Sequence, residues 1–153
     1  MLDSKLLILI RTFEKAEMKR LELFLESPYF FSGKIDKEVV QLFKYIHSYY
    51  PNLKHADLSK SKTYQSLFPE QSVVKGKIDR LMNRLLKTIQ LFLAYEQLDL
   101  KGNRIKQGIM LSPYYRERHL DKLFHRNIES IRKLQNGIQA RDRTYYYNQF
   151  LSI

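Results

Sequence analysis

The feature that most constrains the fold is a long apolar stripe between residues 72 and 98. Apolar side chains recur there every three or four positions, at Ile78, Leu81, Leu85, Ile89 and Phe92, and the stripe is widened by Val74, Met82, Leu86 and Leu93. This spacing is that of one face of an α-helix. It predicts an amphipathic helix over about 72–98 whose apolar face other helices must cover.

The rest of the chain also favours helices. Leucine occurs 23 times, valine and threonine four times each, and the chain holds five glycines and four prolines. Strong helix formers therefore outnumber β-branched residues and helix breakers. We expect an all-α array of seven to eight mostly antiparallel helices, arranged as an irregular bundle or as the start of an α-solenoid.

Helix boundaries follow from prolines and capping residues. We expect helices over about 4–13, from Thr12 to just before Pro28, and over 35–50, 59–68, 103–111 and 112–136, with a last helix from about 142. Ser112 is expected as an N-cap followed by Pro113 at the first helical position. The aromatic residues 29–31 are expected to fill space between helices, because exposing three rings in a short connection is costly.

Two further apolar faces are predicted to be buried. The helix over 112–136 has Leu120, Phe124, Ile131 and Leu134 on one side, with Leu123 and Ile128 beside them. Near the end of the chain, Tyr146 with Phe150 and Tyr147 with Leu151 form pairs four residues apart. Such pairs are typical of a helix that packs into a core.

Length and composition indicate one domain over residues 1–153. The longest early apolar run, 6–10, is shorter than a signal-peptide core or a membrane span, so we expect a cytoplasmic protein without a membrane partner. The chain ends on apolar residues without a polar tail. That ending suggests the N-terminal part of a longer protein.

The net charge of +11 is concentrated in residues 100–153, which hold eleven basic and four acidic side chains. Two groups of basic residues could meet phosphates: Lys77, Arg80, Arg84 and Lys87, and then Arg118, Lys122, Arg126, Lys133, Arg141 and Arg143. The first group lies on a helix preceded by a short helix and a break, which is the outline of a helix-turn-helix. The second is interleaved with tyrosines, as in single-strand binding. The simpler interpretation of the first group is the solvated face of an amphipathic helix. The simpler interpretation of the second is a helix whose aromatic side chains pack into a core or against another helix.

Signatures of catalysis are absent from the sequence. There is no glycine-rich phosphate loop and no nucleophile elbow. The chain has no cysteine, which excludes disulfides and thiolate metal sites. His125 and Glu129, four residues apart, offer two ligands at most, and a surface pair is the simpler interpretation. We expect no catalytic residue, no metal, no cofactor and no small-molecule substrate.

Two stretches carry a resemblance to a known family. Residues 24–30 (FLESPYF) and 141–147 (RDRTYYY), together with Arg80-Leu81-Met82 in a helix ending in Phe92-Leu93-Ala94, resemble a family of helical cytoplasmic proteins from Bacteroidetes-type bacteria. The resemblance implies a helical fold over the whole chain and members longer than this one. It implies no activity, cofactor or catalytic residue.

These observations leave two functional hypotheses. The first is a non-enzymatic helical module that binds another protein through helix faces and grooves. The alternative is a nucleic-acid-binding helical domain that uses the helix-turn-helix-like segment 59–98 and the basic segment 100–153.

Overall fold

The computed structural model describes residues 3–29, 34–99, 103–137, 146, 147 and 150, with the backbone alone at 34–36 and 99. Within these ranges the fold is all-α, as predicted, and contains no strand. The helices are α1 (Lys5–Ile10), α2 (Lys15–Leu25), α3 (Lys34–His47), α4 (Lys60–Leu67), α5 (Lys77–Asp99), α6 (Arg104–Glu117) and α7 (Asp121–Asn136), with one 3-10 turn at Ala56–Leu58.

The chain groups into two compact units, residues 1–92 and residues 93–153. The boundary falls within α5, so the first part of that helix belongs to one unit and its last residues to the other. A single domain over 1–153 therefore stays a prediction.

The first unit has a well-filled apolar core. The predicted face of α5 is buried, with Leu85 and Ile89 fully out of solvent. The ring of Phe92 lies 6.4 Å from that of Phe13 and 5.5 Å from that of Phe24. The other helices contribute fully buried side chains: Leu6, Leu7, Ile10, Met18, Leu21, Leu25, Leu42, Phe43 and Ile46. Burial of each such side chain contributes about 1.5–3 kcal/mol, so these stripes hold the unit together.

Helices α2 and α3 are antiparallel neighbours. Glu26 Oε1 lies 2.7 Å from Lys44 Nζ, and Glu22 Oε2 lies 3.9 Å from His47 Nδ1. As the residue number increases along α2, the residue number of its partner on α3 decreases. The two helices therefore run in opposite directions. The mostly antiparallel order that short connections predicted holds for this pair.

The start of α2 differs from the prediction. The helix begins at Lys15, and Glu14 with Glu17 forms a capping box in which Glu17 Oε2 accepts from the Glu14 N–H at 2.7 Å. Thr12 instead donates its hydroxyl to the Leu9 carbonyl at 2.7 Å and closes the end of α1. The expected N-cap at Thr12 was wrong because a glutamate took the place usually held by serine or threonine.

The expected aromatic plug after α2 is wrong for Tyr29, whose side chain is 88% exposed. Met18, Leu21 and Leu25 already fill the buried face of α2, and Tyr29 lies beyond the end of that helix. Phe30 and Phe31 lie outside the described residues.

Helix α5 begins five residues later than predicted. Gly76 has a φ of 77°, a left-handed conformation that a glycine adopts without strain, and it separates the connection from the helix. Val73 and Val74 lie in that connection and are exposed, so Val74 does not widen the buried stripe. Nine residues, 68–76, join α4 to α5, whereas a helix-turn-helix uses about three or four.

The second unit contains a hairpin of α6 and α7. Three contacts set its direction: Gly108 with Ile131, Ser112 with Asn127, and Arg116 with Phe124. Each step forward along α6 is matched by a step back along α7, so the two helices are antiparallel.

The predicted boundary at Ser112 and Pro113 is wrong, because both residues lie inside α6. Ser112 donates its hydroxyl to the Gly108 carbonyl at 3.0 Å instead of capping a helix. The true break comes after Glu117, where the N–H of Leu120 bonds to the Tyr115 carbonyl at 2.9 Å and the N–H of His119 to that of Arg116 at 3.1 Å. This is a Schellman ending with His119 at φ 54°, a place usually taken by glycine.

Gly108 sets the close approach of the hairpin. A Cβ at this position would lie 2.7 Å from Ile131 Cγ1 and 3.2 Å from Asn127 Oδ1. The Asn127 side chain uses this proximity and donates to the Gly108 carbonyl at 2.7 Å and to Ser112 Oγ at 3.0 Å. Glycine at this position therefore permits the close packing of the two helices.

Candidate functional site

Four basic residues of α5 surround one depression of about 560 Å³ in the first unit. We call Lys77, Arg80, Arg84 and Lys87 the α5 basic row. The structure therefore brings together the first group of basic residues that the sequence singled out. Glu38 of α3 also lines the depression and supplies its negative charge.

Lys77 is set apart from the rest of the α5 basic row by its contacts. Its ammonium lies 3.2 Å from Glu38 Oε1 and 3.5 Å from the centre of the Phe68 ring, and it donates to Gln71 Oε1 at 3.4 Å. Its side chain is 18% exposed. Because Glu38 offsets this charge, the outward positive charge of the row comes from its three exposed members, Arg80, Arg84 and Lys87.

The second group of basic residues is divided by the structure. Arg118 belongs to the end of α6, where its guanidinium lies 3.8 Å from the centre of the Tyr114 ring, so its expected place on the same helix as Lys122 was wrong. Arg141 and Arg143 lie outside the described residues. Lys122, Arg126 and Lys133 are exposed on one side of α7, and we call these three the α7 basic row.

The apolar face predicted for α7 is only partly covered. Ile131 is buried, while Phe124 and Ile128 are half-buried. Three leucines at its edge are exposed, Leu120 and Leu134 at 38% and Leu123 at 47%, and we call them the α7 leucine face. Their predicted burial was wrong, because α6 contacts the other part of the apolar stripe through Gly108.

The α7 leucine face and the α7 basic row are neighbours. Successive residues turn by about 100° around a helix, which places the centres of the two rows roughly 110° apart. Ser130 lies between them on the wheel. Both rows extend over about 15–20 Å of the helix axis, at about 1.5 Å per residue. The sequence identified both sets of residues but predicted that the leucines are buried. It therefore did not predict that leucines and cations lie next to each other on the surface of α7.

A groove of about 840 Å³ lies between α6 and α7 on another side of the hairpin. Its lining mixes apolar and charged side chains: Ile109, Pro113, Phe124, Ile128 and Ile131 with Arg116, Glu117, His125, Glu129 and Arg132. The Arg116 guanidinium lies 5.0 Å from the centre of the Phe124 ring. Two arginines and two glutamates leave the groove without a strong charge preference.

Ion pairs in the first unit perturb several titrations. Lys62 Nζ donates to Asp57 Oδ1 at 2.5 Å, which lowers the pKa of the Asp57 carboxyl and raises the pKa of Lys62. The hydrogen bond to Glu26 raises the pKa of Lys44. These pairs lie at the surface, where ion pairs contribute little to stability.

The described residues contain no group of three histidine, aspartate or glutamate side chains able to hold a metal ion. His125 and Glu129 are both exposed on α7.

Tyr146, Tyr147 and Phe150, for which core packing was predicted, are each more than half exposed. That part of the prediction was wrong. Leu151 lies outside the described residues.

In the described part of the chain, no helix has the length and apolarity needed to cross a membrane.

Compared with protein-family models, with curated proteins and with solved structures, the chain matches none of them. The resemblance to a Bacteroidetes-type helical family therefore stays a prediction.

Proposed function

We propose that this chain is a non-enzymatic protein-interaction module that binds its partner along α7. The observation that carries the proposal is the α7 leucine face. Three leucines at one edge of the helix, Leu120 and Leu123 near its start and Leu134 near its end, keep 38–47% of their area in contact with water. Apolar side chains left in water favour the binding of a partner, because a partner that covers them gains about 25 cal/mol for each Å² removed from water.

The binding mode that fits this surface is a helix laid against a helix. The α7 leucine face follows one helix, with Leu123 and Leu134 about 16 Å apart along its axis and the polar Asn127 and Ser130 between them. A partner helix with apolar residues towards its two ends can align with it. The α6–α7 contact lies beside this face, because Asn127, which donates to the Gly108 carbonyl at 2.7 Å, falls between Leu123 and Leu134 on α7. The exposed parts of the three leucines are the surface that remains for a partner.

Site-specific photocrosslinking in the native host tests the proposal. A benzoylphenylalanine at position 123 should give a discrete crosslinked protein that nuclease treatment does not remove. The matched control carries the same residue at position 132, which is exposed about 180° around α7 from Leu123, and should not give this product. A lack of any protein product at 123, or identical products at both positions, would contradict the proposal.

A second candidate function, nucleic-acid binding, is favoured by the gathering of the α5 basic row around one depression. Arg80 and Lys87 are separated by about 10 Å of helix axis, enough to meet more than one phosphate. Phosphate contacts bring affinity without sequence preference. We expect such binding to be sequence-tolerant and to weaken steeply with salt.

Anisotropy titrations with labelled single-stranded and duplex DNA at two salt concentrations test this second function. Changing Arg80, Arg84 and Lys87 together to alanine should reduce the log–log salt slope on duplex DNA by about two to three, since each phosphate contact contributes roughly 0.9. The triple alanine variant of Arg118, Lys122 and Arg126 tests the basic residues of the other unit independently. No binding at about 50 mM salt, where electrostatic association is strong, would exclude this function.

A further inference from the structure

We infer that the partner of α7 is an acidic amphipathic helix, which covers the α7 leucine face with apolar side chains and presents carboxylates to the α7 basic row. This inference rests on the proposed function and adds the chemistry of the partner. It is carried by the juxtaposition of three exposed leucines with three exposed cations on one helix.

The cations of the α7 basic row are only partly offset by nearby carboxylates of the described residues, since Glu129 alone lies within four residues of both Arg126 and Lys133 on α7. Lys122, Arg126 and Lys133 form no ion pair with a described residue, whereas Lys44, Lys60, Lys62 and Lys77 of the first unit are each paired with a carboxylate. Residues 103–137 hold eight basic and three acidic side chains. The surface around the leucines is therefore strongly positive, and an acidic partner is complementary to it.

The spacing of both rows fits a helical partner. Lys122 and Arg126 are four residues apart, and Lys133 follows seven residues later. Leu120, Leu123 and Leu134 run parallel to them. A partner helix with leucines along one face and glutamates along the adjacent face would meet both rows over about four turns, or about 20 Å.

Other occupants fit this surface less well. A second copy of the chain would carry the same excess of positive charge, so the two basic surfaces would repel each other. Nucleic acid would satisfy the cations but would leave the leucines in water. An anionic membrane would accept both, but the three leucines are already more than half buried against the hairpin. They form a shallow surface suited to packing rather than to insertion among lipid chains.

A designed peptide provides a direct test on the full chain. The probe is an 18-residue fluorescent helix with leucines on one face and glutamates on the adjacent face. One control peptide has the same composition with the leucines scattered around the helix, and another replaces every glutamate by lysine. The first peptide should bind at least ten times more tightly than either control, because both surfaces of α7 must be met.

Two charge-reversed variants separate a specific site from general electrostatic attraction. Changing Lys122, Arg126 and Lys133 together to glutamate should weaken binding of the acidic peptide by roughly ten-fold or more. Changing Arg80, Arg84 and Lys87 to glutamate produces the same net charge and should leave affinity within about two-fold. Leu123→Ser should also weaken binding while the helical circular dichroism stays unchanged.

Several outcomes would overturn the inference. These are equal losses in both charge-reversed variants, equal binding of the scattered-leucine peptide, no binding of the acidic peptide, or its displacement by phosphatidylserine vesicles but not by excess unlabelled peptide. If the crosslink at position 123 captures a protein while the acidic peptide fails to bind, the interaction function stands and the acidic helix is wrong. If the crosslink at position 123 and the binding of the acidic peptide both fail, the proposed function and the inferred partner are both wrong.

Discussion

The first unit and the α6–α7 hairpin are built from the same kind of amphipathic helix, yet they use it differently. In α5 the apolar stripe is closed off from water, and Leu85 and Ile89 are 0% exposed. In α7 an equally regular stripe buries Ile131 but leaves Leu123 at 47%. The difference shows that the helical period identifies which face is apolar, whereas the surrounding helices decide whether that face is covered.

The largest expected effect contrasts a leucine at the centre of the α5 stripe with a leucine at the edge of the α7 stripe. Leu85→Ala should lower the free energy of unfolding by about 2–5 kcal/mol, the range for a leucine that leaves a cavity in a packed core. Leu123→Ala should change it by less than about 1 kcal/mol, because much of this side chain already meets water. Urea denaturation of the two variants measures both values. A similar loss in both would show that α7 is covered in solution.

The next effect concerns the packing of the hairpin itself. Gly108→Ala should destabilise the second unit by about 1–3 kcal/mol, the usual cost of overpacking. The gain in helix propensity, about 1 kcal/mol, offsets part of this cost. Hydrogen exchange of α6 and α7 amides measures the change.

A double variant serves as the control for Gly108. Ile131→Ala removes the Cγ1 and Cδ1 atoms that an added Cβ would meet. The two substitutions together should therefore cost less than the sum of each alone. Strict additivity would show that Gly108 and Ile131 do not limit the approach of the helices.

A smaller effect of opposite sign is expected at the turn. His119 has a φ of 54°, and glycine adopts this conformation without the penalty paid by other residues. His119→Gly should stabilise the hairpin by about 0.5–1 kcal/mol, and His119→Val should destabilise it because β-branched residues tolerate positive φ poorly. Thermal unfolding of the two variants gives the comparison. If His119→Gly lowers the stability instead, the His119 side chain makes a contact whose stabilising energy exceeds the cost of its positive φ.

The smallest expected effect is a change in titration. The pKa of Asp57 is lowered by the hydrogen bond from Lys62, so the pair stabilises the first unit above the ordinary carboxyl pKa of about 3.9. This contribution is lost as the pH falls through the lowered pKa of the folded state. Lys62→Met should return the Asp57 pKa toward its ordinary value in a ¹³C NMR titration. An unshifted titration would show that the pair does not persist in solution.

Much of the fold follows from local pattern. The buried stripe of α5, the short helix predicted over 59–68 and the end of α2 before Pro28 are all present. The errors came where an uncommon residue took a usual role. A glutamate capped α2, a histidine ended α6, and Pro113 lay inside a helix rather than at its start.

The candidate site was predictable in part. The periodicity placed the α5 basic row on one face, and the structure gathers it around one depression. The pairing of Lys77 with Glu38 depends on the packing of α3 against α5, which lies 39 positions away along the chain. Likewise, the exposure of Leu123 depends on where α6 lies, and no local pattern encodes that.

Tyr45 gives the first unit an optical property of its own. Its hydroxyl donates to the Asp57 carbonyl at 2.9 Å, and burial, with its neighbours, raises the pKa of the phenol to about 12. Because an ordinary phenol has a pKa of about 10, we expect Tyr45 to ionise at a higher pH than an exposed tyrosine while the unit stays folded. Ionisation of Tyr45, seen as the increment near 295 nm that Tyr45→Phe abolishes, would then report the opening of this unit without any attached label.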